Sequence, residues 1–370
     1  MNDMAEKKRV LFVGSFKPPV DGRIGGQYFA CRSLIDSGLG DEFDFLLVDS
    51  TIDSIRVRSA LHRMHKIVPR VLRCIKDLLF SRVDAVLLFS SSGLSFVEKG
   101  SVGLLGKLLG KKVVIFPRSG PIVDNVARSK LYREYLSLVV RSCDVVICQS
   151  EHWRSFFSSF VPEESGVELL VIENWLPDSY FARGAAKSYP QSMDRPLKVL
   201  YYNRIERGKG IYDFLEAMLL LQSENAPVEA RIYGDGSELD NVKAFIRERG
   251  LKNTEYAGWL STDKMDVIPS FDLCVFASHS EGFPNALLEV MALGVPAVAS
   301  RVGAVNDLIV SGVNGILVDV GRPAQIADAV RTVLREPALL EQFSRRSLER
   351  TSQNSVNNAV SKFMSMLSEL

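Results

Sequence analysis

The stretch LCVFASHSEGFPNALLEVMALGVPAVAS, Leu273–Ser300, decides the fold. It opens on a short apolar run, Leu273–Phe276, and closes on another, Pro296–Ala299; runs of this length bounded by turn residues read as buried parallel strands. Between them lies the turn Glu281-Gly282-Phe283-Pro284-Asn285. A helix should follow it from Pro284 or Asn285, because proline suits the first helical turn. Strand, loop, helix and strand in that order build a doubly wound α/β sheet.

Outward from this stretch the same rhythm continues. Lys198–Tyr202 and Ala230–Tyr233 precede it as further strands of one series, and Val10–Gly14, Phe43–Val48, Ala85–Phe89, Val113–Phe116, Val145–Cys148 and Leu169–Ile172 form an earlier series. The turn-rich segment Ala182–Pro196 separates the two and reads as a domain boundary. The expected fold is α/β, with two Rossmann-like doubly wound domains over residues 1–180 and 195–354, and a last helix, about 355–370, able to pack back on the first.

At 370 residues and 46% hydrophobic content the chain has room for two cores. A formal net charge of +1 gives no overall pull toward nucleic acid, so none is expected as a partner. The five cysteines, Cys31, Cys74, Cys143, Cys148 and Cys274, form no Cys-x-x-Cys pair and fit a reduced, cytoplasmic setting. No apolar run approaches the roughly 20 residues of a spanning helix, and Met1–Arg9 holds no signal-peptide core.

Several segments carry chemistry. A helix starting after Glu281 turns free N–H groups and partial positive charge toward the C-terminal edge of the sheet, where open α/β folds bind phosphates. Glu281 faces that edge from the loop, and Glu289 lies about one turn into the helix on the face of Asn285. Taken alone, Glu289 is equally a solvated helix residue and Glu281 a first-turn acid favoured by the helix dipole. Arg204 and Lys209 flank a Gly-containing loop after the Lys198–Tyr202 strand and suit a diphosphate; on their own they also read as a basic surface turn. Gly234 and Gly236 end another strand and permit close backbone approach. The loop Lys17–Gln27, with Gly25 and Gly26, resembles a phosphate-approach loop without the Gly-x-Gly-x-x-Gly spacing. No Asp-x-Asp pair offers a metal to a diphosphate, so metal-independent chemistry without a cofactor is expected, with Arg204 and Lys209 neutralising the charge.

These pieces, in this order, resemble the family-4 glycosyltransferases of the GT-B fold, also described as glycosyl transferases group 1. The resemblance runs from the Gly25-Gly26 loop through Arg204, Lys209-Gly210 and Gly234-Asp235-Gly236 to Glu281 and Glu289 in a Glu-x7-Glu arrangement. It continues through Gly294-Val295-Pro296, Gly303 and Asn314–Val318. It implies that the two domains face each other across a cleft. Arg204 and Lys209 would bind the donor diphosphate, Glu281 would approach the donor sugar, and Glu289 would accept hydrogen bonds from the ribose. It further implies that backbone amides of Phe283, Asn285 and Ala286 cradle phosphates and that the loop around Leu260 touches the base. Gly25 and Gly26 would let a ligand approach closely. Family members retain anomeric configuration by front-face attack, with no protein nucleophile. Many relatives carry a His, positioned against the donor sugar, after the strand equivalent to Val113–Phe116; here the sequence reads Phe116-Pro117-Arg118-Ser119, and the resemblance offers Arg118 or Ser119 for that sugar site.

The implied function is transfer of a hexose or N-acetylhexosamine from a nucleotide-diphosphate sugar to a glycan or lipid-linked saccharide in cell-surface polysaccharide or lipopolysaccharide assembly. The Glu281–Asn285 wording favours UDP-sugars over GDP-sugars. A nucleotide-sugar epimerase and a non-catalytic partner subunit are the alternatives. The first conflicts with the paired Glu281 and Glu289, the second with retention of Arg204, Lys209 and Glu289. Ile55–Leu79 reads as an amphipathic helix, apolar at Val57, Leu61, Met64, Val68, Val71, Ile75 and Leu78 and basic at Arg56, Arg58, Arg63, Lys66, Arg70, Arg73 and Lys76. It fits either peripheral contact with anionic membrane or a sheet-covering helix with a solvated polar face.

Overall fold

The computed structural model describes residues 7–18, 26–51, 60–190, 192–261 and 263–370, and for 60–64 the backbone alone. The chain divides into two compact units, Met1–Trp175 with Val356–Leu370, and Leu176–Ser355.

The first unit is built on β1 (Arg9–Gly14), β2 (Asp44–Asp49), β3 (Ala85–Ser90), β4 (Lys112–Pro117), β5 (Val145–Cys148) and β6 (Glu168–Val171). All pair in parallel in the order β2-β1-β3-β4-β5-β6. β3 is buried at every position, as a central strand covered on both faces must be. Strand alternation sends Leu11, Val13, Val86 and Leu88 into one layer and Phe12, Leu87 and Phe89 into the other. The C-terminal helix Val356–Glu369 closes the second layer. Its Phe363 ring lies 6.0 Å from Phe89 and 5.8 Å from Trp175, and deleting such a buried ring costs roughly 3–5 kcal/mol.

The second unit is built on β7 (Leu197–Tyr202), β8 (Val228–Tyr233), β9 (Thr254–Gly258), β10 (Leu273–Phe276), β11 (Ala297–Ser300) and β12 (Gly315–Val318), again all parallel, in the order β12-β11-β10-β7-β8-β9. The apolar-run criterion finds four of these. It does not name β9 or β12, the two edge strands: polar residues interrupt β9, whereas β12 is apolar from Ile316 to Val318 but only three such residues long.

The boundary lies at Trp175/Leu176, earlier than the turn-rich segment suggests. The helix Asp178–Ala185, which the expected domain end at residue 180 would divide, packs in the second unit: Tyr180 is buried among Leu287 and Leu288, and Tyr189 hydrogen-bonds the Gly294 carbonyl at 2.9 Å. Turn composition marks where regular structure ends, whereas a unit ends where packing changes.

The long helix Ala60–Phe80 covers the first sheet, and residues 55–59 of the expected amphipathic segment lie outside the described residues. Cys74 and Leu78 are buried and Val71 packs beside them. Val68, expected on the same apolar face, is instead exposed, as are Leu72, Leu79 and Phe80. Arg70, expected on the basic surface, turns inward to Glu98, 3.0 Å from one of its oxygens; Lys99 pairs with the same carboxylate. A guanidinium satisfied in this way leaves water without an unpaired charge. Burial pushes all five free thiols up to about 12, which keeps them as small hydrophobes rather than nucleophiles. No helix among the described residues is long and apolar enough to cross a membrane.

Candidate functional site

In the second unit the candidate residues gather at the C-terminal ends of β7, β8, β10 and β11, the edge at which parallel sheets present loops and helix N-termini. Two glycines draw these loops together. Gly210, at φ +69° between the turn Arg207–Lys209 and the helix Ile211–Ser223, approaches the Ala277 carbonyl so closely that a Cβ would stand 1.8 Å from its oxygen. Gly303, after β11, sits at φ +47°, and a Cβ there would stand 2.3 Å from the Glu281 carbonyl oxygen. The β7 and β11 loops thus both clamp the loop that carries Glu281. Buried Tyr201 adds a third tie, its hydroxyl donating to the carbonyls of Lys209 at 3.0 Å and Arg204 at 3.3 Å.

Lys209 Nζ donates to Glu281 Oε1 at 2.7 Å. Ser278 Oγ donates to the same oxygen at 2.7 Å and itself accepts from Asn203 Nδ2 at 3.1 Å. A chain Asn203–Ser278–Glu281–Lys209 therefore links the β7 and β10 loops. Ser278 is fully buried, so its bond fixes the carboxylate without competition from water. Arg204 enters the same loop, but its guanidinium pairs with Glu206 at 2.6 Å and stays over half exposed.

Glu289 belongs to a neighbouring cluster. It lies in the helix Asn285–Ala292, where it accepts Tyr202 Oη at 2.9 Å on one oxygen and Lys264 Nζ at 2.8 Å on the other. Tyr180 hydrogen-bonds Lys264 in turn. Burial disfavours the Lys264 ammonium, but Glu289 and Tyr180 outweigh it and hold its pKa above the usual lysine value. Burial, reinforced by Glu289, raises the Tyr202 hydroxyl far out of range, so it remains a donor. Tyr202 and Asn203 are consecutive residues at the end of β7; Tyr202 bonds Glu289 directly, and Asn203 reaches Glu281 through Ser278. These supporting residues, Tyr202, Asn203, Ser278 and Lys264, escape sequence reading: a tyrosine ending an apolar strand looks like core, and nothing local to Lys264 points to a carboxylate 25 positions away.

Other expected positions fall differently. Gly234 approaches protein rather than leaving space for a ligand, since a Cβ would stand 2.0 Å from the Asn203 carbonyl oxygen. Leu260, expected at the base, is buried in the core beside Tyr233 and Phe271, and its neighbour Trp259 is half exposed. Phe283 is buried and its carbonyl takes the Asn285 amide at 3.0 Å, so that amide is committed in this structure, while Ala286 stands in the first turn of the helix. The described residues contain no group of three or more His, Cys, Asp or Glu able to hold a metal.

In the first unit Gly26 opens the helix Gly26–Leu34, and Gly25 lies outside the described residues. Arg118 and Ser119 follow β4. The Arg118 amide donates to the Ser90 carbonyl at 2.8 Å, and its guanidinium carbon lies 4.7, 5.2 and 5.7 Å from the ring centres of Phe116, Trp175 and Phe89. The Ser119 carbonyl accepts from the Ile122 amide at 3.4 Å.

Comparison with known proteins places this geometry. The profile of the family described as "Glycosyl transferases group 1" matches residues 187–350. The alpha-D-kanosaminyltransferase of Streptomyces kanamyceticus is 34% identical over 153 residues, covering 41% of this chain and 39% of that protein. The lipopolysaccharide core biosynthesis glycosyltransferase LpsE of Rhizobium meliloti is 28% identical over 183 residues, 49% of this chain and 52% of LpsE. The chain thus spans about two fifths to one half of the length of these relatives. Among solved structures, HepE of Anabaena in complex with UDP and glucose superposes with a TM-score of 0.71 at 16% identity, covering 98% of this chain and 99% of that one, a likeness of fold. The chain has the GT-B fold, and its residues 187–350 match the model of the glycosyl transferases group 1 family.

Proposed function

We propose that this chain is a retaining glycosyltransferase that moves a hexose or N-acetylhexosamine from a nucleotide-diphosphate sugar, a UDP-sugar before a GDP-sugar, to a glycan or lipid-linked saccharide. The observation that carries this reading is the contact of Lys209 with Glu281 at the C-terminal edge of the second sheet, with Glu289 one turn into the adjoining helix. A diphosphate needs fixed positive charge, and Lys209 and Arg204 supply it from one loop without a metal. Each is paired with a carboxylate here, so the incoming phosphates compete with Glu281 and Glu206. Glu281 then faces the sugar and Glu289 the ribose hydroxyls, with Tyr202 and Lys264 fixing the Glu289 carboxylate. The charge that develops on the leaving diphosphate is met by the same cations, so departure and neutralisation coincide. The UDP and glucose held by HepE, and the lipopolysaccharide core role of LpsE, support the choice of donor and of cell-surface assembly.

Contact with the inner face of the cytoplasmic membrane belongs to the same proposal. Val68, Leu72, Leu79 and Phe80 stand exposed on one helix with Lys66, Arg73 and Lys76. That combination suits an anionic lipid surface, each nearby cation contributing on the order of 1 kcal/mol.

The test is thermal stabilisation of the chain by UDP, GDP and ADP, with and without EDTA. Stabilisation by UDP that EDTA leaves unchanged is expected. No shift with any nucleotide, or a shift abolished by EDTA, contradicts the donor site as described.

A further inference from the structure

Arg118 is held in a way the donor site does not explain. Its guanidinium lies over three aromatic faces, Phe116, Trp175 and Phe89, at the C-terminal edge of the first sheet. Its Nη1 is shut off from solvent and has no hydrogen-bond partner, and no carboxylate pairs with it among the described residues. Burial lowers its pKa to about 10, which leaves the group charged at neutral pH. A buried charged donor with an unmade bond is among the costlier features a fold can keep, and such groups mark the place where something else binds. The three rings hold the guanidinium in place, and among the described residues no protein acceptor reaches its Nη1. Among the described residues, Ser90 Oγ is the other buried side-chain polar atom without a partner. Strand alternation sets Ser90 on the opposite face of β3 from Phe89, so it forms no part of this arrangement.

We propose that Arg118 is an oxyanion-binding residue of the first unit, so that the acceptor is a saccharide carrying a carboxylate or a phosphate. A planar fork held against aromatic faces matches a carboxylate or phosphate bidentately, and a neutral hydroxyl leaves its charge uncompensated. The word acceptor rests on the transferase reading above; the oxyanion site itself does not.

The experiment is saturation-transfer NMR on the full chain with D-glucuronate, D-glucose 6-phosphate and D-glucose, with UDP present to occupy the cations of the second unit. Wild type, Arg118→Gln and Arg118→Lys are compared. The expected result is at least roughly tenfold tighter binding of one or both anionic sugars than of glucose, a preference lost in Arg118→Gln and reduced in Arg118→Lys. Preference for glucuronate assigns a uronate, and preference for the 6-phosphate assigns a phosphorylated sugar. Equal binding of all three by wild type, or a preference that survives in Arg118→Gln, overturns the proposal. Should Arg118→Gln not fold, Arg118→Lys takes its place in the same comparison. Binding of UDP is read separately by thermal shift, and its failure would count against the donor site alone.

Discussion

Lys209 Nζ and Glu281 Oε1 are 2.7 Å apart, and that oxygen also accepts Ser278 Oγ, so the cation and the carboxylate are held by each other and by a buried hydroxyl. The pair is both a structural tie between two loops and the chemical centre of the proposed donor site. A charge exchange separates these roles. Lys209→Glu with Glu281→Lys keeps an ion pair, and the melting temperature should stay within a few degrees of wild type. Activity should fall as it does in Lys209→Ala, by about 10²–10³ in kcat/KM, because the sugar and diphosphate would then meet reversed charges. A swapped variant that retained activity would leave the pair with a structural role only.

Glu289 is satisfied twice, by Tyr202 and by Lys264. Tyr202→Phe removes one hydrogen bond and should weaken nucleoside diphosphate binding by about fivefold, whereas Glu289→Gln, which also leaves Lys264 without its carboxylate, should weaken it by at least tenfold. Calorimetric titration with UDP measures both. Equal, negligible effects would place Glu289 outside the nucleotide site.

Gly210 and Gly208 lie two residues apart and make opposite demands. Gly210 has φ +69° and no room for a Cβ beside the Ala277 carbonyl, whereas a Cβ on Gly208 meets nothing within 4 Å. Gly210→Ala should destabilise the second unit by more than about 2 kcal/mol and abolish donor binding. Gly208→Ala should stay within about 0.5 kcal/mol of wild type. Chemical denaturation distinguishes them.

Lys187 gives a pH signature. Its ammonium donates to the carbonyls of Pro269 at 2.7 Å and Phe271 at 2.8 Å, yet burial lowers its pKa from 10.5 to about 8. Between those values the unfolded chain binds the extra proton, so this group makes stability rise with pH from about 8 toward 10.5, with its full penalty present below 8. Denaturation midpoints of wild type minus Lys187→Met should therefore increase across that window. A flat difference would mean that the two carbonyls cancel the effect of burial.

Sequence reading recovers what depends on local pattern. The strands Val145–Cys148 and Leu273–Phe276 match to the residue, and the start of the Asn285–Ala292 helix follows from Pro284. Edge strand β9 is not visible, because exposure on one side brings polar residues into its run, and β12 offers only the three apolar residues Ile316–Val318. In the site, Glu281 and Lys209 stand out through their loop context, while Ser278 and Tyr202 do not: their roles come from contacts 75 and 87 residues apart in the chain, with Asn203 and Glu289, or from burial that no single position announces. Leu260 shows the converse. A loop position can be named from a resemblance, but which way its side chain turns is decided by the core it joins.

The most direct test of the donor site is release of nucleoside diphosphate from UDP- and GDP-sugars in the presence of a lipid-linked saccharide, with the anomeric configuration of the product determined for wild type, Arg204→Ala and Glu281→Ala. Consumption of one donor with retained configuration, reduced at least about a hundredfold in both variants, is the predicted result. Inverted product, or variants as active as wild type, would contradict the assignment of Arg204, Lys209 and Glu281 to a retaining transfer.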